Sequence, residues 1–363
     1  MNLTEPQAGS DVGALTTKAT PQGDGTYRIS GQKIFITWGE HDLTDNIVHL
    51  VLARTPDSPP GTKGISLFIV PKYLPADDGS LGAANDITCL SIEHKMGING
   101  SPTCVLAYGE NEGAVGWMLG EEHAGMRAMF TMMNNARLSV GLEGVGLAER
   151  ATQQALAFAH ERLQGRAPGA EKGSPSPIVD HADVQRMLLD MRSLTTAARG
   201  LCYRNAAAID LANNGADDDA RARGEELAAL LTPLSKAWGT EVGCEVTSLG
   251  IQVHGGMGYV EETGAAQHFR DARIMPIYEG TNGIQAIDLV GRKVPMRGGA
   301  VIREHLESIR ATARAVEAVP ELAVIAKHLS AAVDATAEAT EWLLETGATD
   351  PAARLPSAAA YLE

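Results

Sequence analysis

One carboxylate of this chain, Glu279, follows apolar residues, an environment in which a carboxylate can act as a general base. Glu279 lies between Tyr278 and Gly280, and the apolar run 274–277 ends just before Tyr278. A free glutamate titrates near ~4.3, and removal from water raises that pKa toward the range in which a general base works. The residues alone leave a second interpretation open, in which Glu279 stabilises the start of a helix near Thr281 through the helix dipole.

A second group of polar residues opens the chain. The segment 4–11 places Thr4, Ser10 and Asp11 around Gly9, and a glycine of this kind lets the backbone approach a phosphate closely. An ordinary Asx-type turn would explain the same pattern. From the residues alone, the turn is the favoured interpretation.

Taken together, these segments resemble the acyl-CoA dehydrogenases, flavoproteins that desaturate acyl-CoA thioesters. The resemblance rests on 4–11, 254–258, 270–273 and 277–282, in the family's order, and it extends to about Val294. Because the motifs stand far apart along the chain and keep that order, coincidence is a poor explanation. The family implies a reaction and a cofactor.

The resemblance implies FAD-dependent α,β-dehydrogenation of an acyl-CoA thioester to the trans-2-enoyl-CoA. No side chain accepts a hydride, so a cofactor must do so. Glu279 would abstract the α-proton and flavin N5 would accept the β-hydride. Some relatives carry the base immediately before the arginine that matches Arg137, but Ala136 stands there in this chain. Glu143 lies nearly two turns further on and is expected at the surface, which leaves Glu279 as the candidate.

The resemblance also assigns the binding residues. Those implied to hold FAD are Thr4, Ser10, Thr37, Arg162, Gln252, Gly255, Gly256, Thr281 and Asn282. Those implied to contact the substrate are Ser10, Asn134, Arg137, Tyr278 and Gly280. From the residues alone, simpler interpretations stay open. Thr37 would be a strand residue and Arg137 would pair with a surface carboxylate. Gly255 would be a helix C-cap and Thr281 would be an N-cap.

The family further implies partners. An electron-transfer flavoprotein would reoxidise the flavin, and subunits would form a homodimer or homotetramer in which Arg162 reaches the FAD of a neighbour. Two alternatives stay open: an acyl-CoA oxidase that uses oxygen, and a non-catalytic acyl-CoA-binding or scaffold protein. The acyl group could be short, branched, thioether-containing or of medium length.

Composition limits the function classes. The 363 residues carry a net charge of −15 and a pI near 5.1, which argues against nucleic acid or an anionic membrane as partner. No apolar stretch is long enough to span a membrane and no signal peptide begins the chain, so the expected location is the cytoplasm. Reduced thiols are expected, with no metal site, at Cys89, Cys104, Cys202 and Cys244.

Hydrophobic periodicity predicts an α+β chain, with a β-barrel or sandwich followed by an antiparallel helical bundle. Ser30 and Gly31 are predicted to turn a hairpin, and a methionine-rich stripe beginning at Met126 is predicted to be bundle core. The Gly/Pro/Ser-rich stretch 164–177 is interpreted as a disordered insertion, and Pro233 as a kink or a helix boundary.

Three domains are expected. Residues 1–116 would form the flavin-contacting barrel, 117–294 the helical domain with the base, and 295–363 the start of a helical C-terminal extension. That extension and the amino-acid sequences of 36–42 and 282–289 resemble those of a long subgroup that includes the 3-methylthiopropanoyl-CoA dehydrogenases. The chain resembles a fragment without the family's N-terminal helical domain and without its extreme C-terminus. We expect such a fragment to bind FAD poorly and to turn over slowly.

Overall fold

The structure, a computed structural model, describes all 363 residues and divides into two compact units, Met1–Asn134 and Asn135–Glu363. Strands fill the first unit and helices the second, so the predicted α+β class is confirmed. The division lies inside helix α1 (Gly125–Glu161), whereas the sequence pattern predicts a domain boundary after residue 116. None of the helices combines the length and apolar character needed to cross a membrane.

The first unit is built on a barrel-like sheet. Its seven strands run in the order β1-β3-β4-β9-β2-β8-β7, and a further pairing of β1 with β2 closes the sheet on itself. A two-stranded sheet, β5-β6, lies outside it. The strands are β1 (Lys18–Pro21), β2 (Tyr27–Thr37), β3 (Val48–Arg54), β4 (Ile65–Pro71), β5 (Tyr73–Pro75), β6 (Leu81–Ala84), β7 (Ile87–Ile92), β8 (Thr103–Tyr108) and β9 (Ala114–Met118).

Strands β3 and β4 are largely apolar because both faces of their central residues are covered. Successive side chains point to opposite faces, so Val51 and Phe68 belong to the barrel core, whereas Leu52 and Leu67 pack in a second cluster with Met129. The start of α1 therefore packs against the sheet. The prediction that its methionines belong to the bundle core is wrong for this part of the stripe.

The predicted hairpin at Ser30 and Gly31 is also wrong, because β2 continues through both residues. Gly31 has a φ of +151°, and a Cβ added there would lie 2.5 Å from Thr17 Oγ1. The glycine thus permits a close approach of neighbouring strands, and a glycine in a strand often has this meaning. Beyond it, a bulge between Lys33 and Ile36 shifts the pairing of β2 with β8.

The second unit holds most of α1 and all later helices. The helices after α1 are α2 (Ala182–Asn214), α3 (Asp218–His254), α4 (Ala265–Ala272), α5 (Asn282–Asp288), α6 (Ala300–Glu317), α7 (Ala323–Thr349) and α8 (Ala358–Leu362). Helix α3 continues through Pro233, so no boundary occurs there. Leu306, Val333 and Leu343 form one buried cluster with Ala286 and Val290. Residues 295–363 therefore belong to the same compact unit as α5.

The stretch 164–177, interpreted from sequence as a disordered insertion, is closed at its base. The backbone N–H of Gln164 donates to the Ser176 carbonyl at 3.0 Å, and the N–H of Ile178 donates to the Arg162 carbonyl at 2.8 Å. Ser176 is buried, and its hydroxyl accepts from the Ala167 N–H. These bonds form a short clasp directly after Arg162.

Helices α1 and α3 approach closely along a line of small residues. A Cβ on Gly141 would lie 2.4 Å from the Ser235 carbonyl oxygen, and a Cβ on Gly144 would lie 2.2 Å from that of Gly239. Because both contacts advance in the same direction along the two helices, α1 and α3 run parallel. This packing brings Arg137 of α1 to the same end of the unit as Lys236 of α3.

We expect Gly144→Ala to destabilise the chain by about 1–3 kcal/mol, because the new methyl group must push α3 away. Chemical denaturation would measure the free energy of unfolding. Gly146→Ala is the matched control, since a Cβ at Gly146 on the same helix meets nothing within 4 Å. Equal stability of the two variants would contradict the packing described.

Candidate functional site

Glu279 lies on a tight turn between α4 and α5. Its φ is +55° and that of Gly280 is +83°, so two successive residues occupy the left-handed region. The Asn282 N–H donates to the Pro276 carbonyl at 2.9 Å and closes the loop. The Thr281 hydroxyl accepts from the Ile284 N–H at 3.2 Å, which confirms the N-cap predicted for Thr281.

Two buried side chains bind the backbone of this turn. Gln285, which is fully buried, donates from Nε2 to the carbonyls of Gly280 at 3.1 Å and Glu279 at 3.4 Å. Arg137, 6 % exposed, donates from Nε to the Glu279 carbonyl at 3.4 Å, and its Nη1 lies 3.8 Å from Asp288 Oδ2. A left-handed glutamate is strained, and such strain persists only where surrounding contacts impose it. These contacts leave the Glu279 carboxyl outside the backbone network.

Gly280→Ala should destabilise the chain by about 1–2 kcal/mol, because alanine is unfavourable at a φ of +83°. Its Cβ would also lie 2.8 Å from Gln285 Nε2 and would displace that amide from the turn. The loss should appear as a lower melting temperature. Gly283→Ala is the control, since its Cβ meets only Thr281 Oγ1 at 3.7 Å. A Gly280→Ala variant as stable as this control would refute the strain.

Burial raises the pKa of the Glu279 carboxyl above its ordinary value. The positive charges of Arg137 and Lys236 lower that pKa, and the negative charge of Glu143 raises it, but burial dominates. The direction is the one expected from the apolar residues before Glu279. A carboxylate with this environment can take a proton from a weakly acidic carbon more readily than a solvated one.

Tyr278 is held by a second carboxylate. Its hydroxyl donates a short hydrogen bond to Glu143, an exposed residue of α1. Burial, reinforced by this bond and by the charge of Glu143, raises the pKa of the Tyr278 phenol. Glu143 is at the surface, as the sequence analysis expected, but it also fixes the residue beside Glu279.

The amide of Asn282 is engaged with α3. Its Oδ1 accepts from the ammonium of Lys236 at 2.9 Å, and its Nδ2 donates to Glu241 at 2.7 Å and to the Ala237 carbonyl at 3.2 Å. The side chain of Asn282, expected from the resemblance to contact FAD, thus binds its own protein. It fixes the start of α5 directly after the Glu279 turn.

A second cluster lies at the other end of α1 and α3. Arg162, Gln252, Gly255 and Gly256 are all exposed there. Gly255, with a φ of +59°, ends α3, and its N–H bonds the Gln252 carbonyl, so the predicted C-cap is confirmed. Phe158 of α1 stacks on His254 of α3 with ring centroids 4.5 Å apart. The stack places Arg162 and the glycine loop at one end of the unit.

Thr4, Ser10, Thr37 and Asn134 lie in the first unit, and Ser10, Thr37 and Asn134 are exposed. The Thr4 carbonyl accepts from the Ile34 N–H at 2.9 Å, so Thr4 runs beside the bulge of β2. The Asp11 carboxylate accepts from the Gly13 N–H, which confirms an Asx-type turn after Ser10.

Phe35, at the bulge of β2, and Trp38, directly after the strand, are both exposed and lie close to Thr37 in the sequence. Phe35 is 60 % and Trp38 41 % exposed, each with a positive φ, which is rare for bulky residues. An exposed threonine with two exposed aromatic residues close to it in the sequence offers a hydrogen-bonding group and stacking surfaces. That donor set suits a planar heteroaromatic group such as an isoalloxazine ring.

Gln285 and Lys236, both fully buried, were not singled out from the sequence. Gln285 follows Ile284 and precedes Ala286 in an apolar run, and Lys236 stands within another, 230–238. A polar residue on an otherwise apolar helical face was the available signal, since buried polar groups need partners.

Known proteins match the chain along most of its length. Residues 1–109 match the family described as Acyl-CoA dehydrogenase, middle domain, and residues 123–294 match Acyl-CoA dehydrogenase, C-terminal domain. The 3-methylmercaptopropionyl-CoA dehydrogenase of Ruegeria pomeroyi is 51 % identical over 97 % of this chain, which spans 59 % of that protein. The short-chain specific acyl-CoA dehydrogenase of Megasphaera elsdenii is 33 % identical over 83 % of this chain and 67 % of its own length.

A solved structure supports the same relationship. An acyl-CoA dehydrogenase from Bacillus anthracis, complexed with FAD, superposes with a TM-score of 0.69 at 27 % identity. The match covers 86 % of this chain and 50 % of that protein.

Proposed function

This chain belongs to the acyl-CoA dehydrogenase family, and on that premise we propose that it carries out FAD-dependent α,β-dehydrogenation of an acyl-CoA thioester. The observation that carries the proposal is the Glu279 turn. Burial raises the pKa of the Glu279 carboxyl. Gln285 and Arg137 bind the backbone of the turn and hold it in a strained conformation. In this role Glu279 takes the proton from Cα of the thioester.

FAD, when bound, supplies the acceptor for the β-hydride. The exposed hydroxyl of Thr37, the neighbouring rings of Phe35 and Trp38, and the adjacent Thr4 would hold its ring system. Arg162 and the glycine loop at 255–256 would hold its phosphates or its adenosine part, because a guanidinium is suited to phosphate and glycines let a ligand approach the backbone closely. Tyr278, positioned by Glu143, would line the substrate site beside Gly280.

The separation of the two clusters in the second unit supports an oligomer. Arg137 contacts the Glu279 turn, and Arg162 directly follows the end of α1, 25 residues after Arg137, which corresponds to a rise of about 37 Å. One dinucleotide is too short to reach both ends of the helix. We therefore assign the Arg162 cluster to a cofactor bound mainly by another copy of the chain, as in a homodimer or homotetramer.

Anaerobic reduction tests the proposal. Because weak FAD binding and slow turnover are expected, the purified chain is supplied with excess FAD, and it should then take up flavin and slowly lose its visible flavin band when butanoyl-CoA is added. Reoxidation by an electron-transfer flavoprotein without peroxide would support a dehydrogenase, and stoichiometric peroxide in air would indicate an oxidase. A chain that binds FAD but is never reduced by any of a series of acyl-CoA thioesters would overturn the proposal in favour of a non-catalytic relative.

A further inference from the structure

A buried lysine lies behind the Glu279 turn. Lys236, on α3, is fully buried, and its ammonium donates to Asn282 Oδ1 at 2.9 Å. Burying an ammonium costs several kcal/mol unless charges and hydrogen bonds compensate it. A neutral residue of similar size would fill the same space without that cost, so the charge calls for an explanation.

The partner of Lys236 is the residue that closes the Glu279 loop. The backbone N–H of Asn282 donates to the Pro276 carbonyl at 2.9 Å, and the loop between them contains Tyr278, Glu279 and Gly280. The Thr240 hydroxyl, one helical turn after Lys236, also contacts Asn282 Oδ1, at 3.3 Å. Both ends of the Asn282 amide are thus bound to α3, which anchors the loop at its closing residue.

The charges around Lys236 come from three elements. Arg137 of α1 and Glu241 of α3 act on it, together with Glu279 of the loop. Burial, reinforced by Arg137, lowers the pKa of Lys236 to about 8, while Glu279 and Glu241 raise it. In return, the positive charge of Lys236 lowers the pKa of Glu279 and limits the effect of burial there.

We propose that Lys236 is a positioning residue for Glu279: its buried ammonium fixes Asn282, Asn282 closes the loop that presents Glu279, and the same positive charge acts on the Glu279 carboxylate. The proposal rests on the proposed function, in which Glu279 is the base. It adds a second anchor on α3 to the backbone contacts made by Arg137 and Gln285. Contact with the substrate is not required of Lys236.

Two substitutions separate the charge from the hydrogen bond. Lys236→Met removes both, whereas Lys236→Gln keeps a hydrogen-bond donor for Asn282. NMR titration of ¹³C-labelled glutamate carboxyls, assigned with Glu279→Gln, would report the pKa of Glu279. Hydrogen exchange of the Asn282 backbone N–H, which donates to the Pro276 carbonyl, would report the closing of the loop. Lys327→Met, on an exposed face of α7, is the control for loss of a lysine.

We expect both Lys236 variants to raise the Glu279 pKa, because each removes a positive charge that favours the ionised carboxylate. Lys236→Met should also accelerate exchange of the Asn282 amide about tenfold, the equivalent of one lost hydrogen bond, and Lys236→Gln should not. An unchanged Glu279 pKa in Lys236→Gln would overturn the proposal, even if Lys236→Met fails to fold. Because the chain is measured without flavin or thioester, failure of the proposed reaction would leave this result independent.

Discussion

Glu279→Gln is expected to slow reduction of the bound flavin by an acyl-CoA by about 10³-fold or more, while FAD binding remains. A positioned general base contributes rate factors of this order, and glutamine cannot accept the α-proton. The fold should survive, because Arg137 and Gln285 bind the main-chain carbonyl of Glu279 and not its carboxyl. Stopped-flow absorbance under anaerobic conditions would measure the reduction rate in a single turnover.

Glu143→Gln is the matched control for Glu279→Gln. Glu143 is an exposed carboxylate of α1 that accepts the Tyr278 hydroxyl, and an amide oxygen can still accept it. We expect most of the rate to remain in this variant. A loss in Glu143→Gln as large as that in Glu279→Gln would mean that the base had been assigned to the wrong carboxylate.

Lys33→Met is expected to lower the free energy of unfolding by about 3–5 kcal/mol, because it leaves a buried carboxylate without its counterion. Lys33 and Glu5 are 0 % and 2 % exposed, with Nζ and Oε1 2.8 Å apart. Glu5 also accepts from the backbone N–H groups of Thr16 and Thr17. Lys63→Met, which removes an exposed lysine of the same unit, should change the free energy of unfolding little.

The same pair sets an acid limit on stability. Burial opposes ionisation of Glu5, but the charge of Lys33 and the hydrogen bonds from Lys33, Thr17 and Thr16 together lower its pKa from 4.5 to about 2. Between these values the unfolded chain binds the proton first, so stability falls as pH decreases from about 4.5 to about 2. The difference amounts to about 3 kcal/mol. Denaturation at a series of pH values should show this slope in the wild type and lose most of it in Glu5→Gln.

The effect would extend to the proposed flavin site. Lys33 also donates to the Leu3 carbonyl at 3.1 Å, and the next residue, Thr4, bonds Ile34 of β2. The buried pair therefore fixes the N-terminal segment beside the bulge that exposes Phe35. We expect Lys33→Met to weaken FAD binding as well as folding.

The sequence predicted the order of strands and helices because periodicity is a local property. It also identified the Glu279 turn, from the apolar residues before Glu279, the glycine after it and a helix start near Thr281. The prediction of a turn at Gly31 was wrong, because this glycine makes room for Thr17 inside a strand. The sequence does not show whether a glycine forms a turn or makes room for a neighbouring segment, because the atom that comes close belongs to a distant part of the chain.

The supports of the site were harder to predict. The ammonium of Lys236 and the amide of Gln285 act from inside the helical unit, and burial of a polar side chain depends on how helices pack. That packing in turn rests on Gly144 and Gly239, whose small size brings α1 and α3 together. None of these contacts is local in sequence. They follow from the tertiary arrangement that the whole second unit adopts.

The most direct test of the central claim, that Glu279 removes the α-proton, is isotope exchange at Cα of butanoyl-CoA. The FAD-loaded chain would be incubated anaerobically with butanoyl-CoA in D₂O, and mass spectrometry would follow deuterium in the acyl group. Deuterium should appear at Cα with the wild-type chain and should not rise above background with Glu279→Gln. Equal exchange by the two proteins would show that another group takes the proton and would contradict the account.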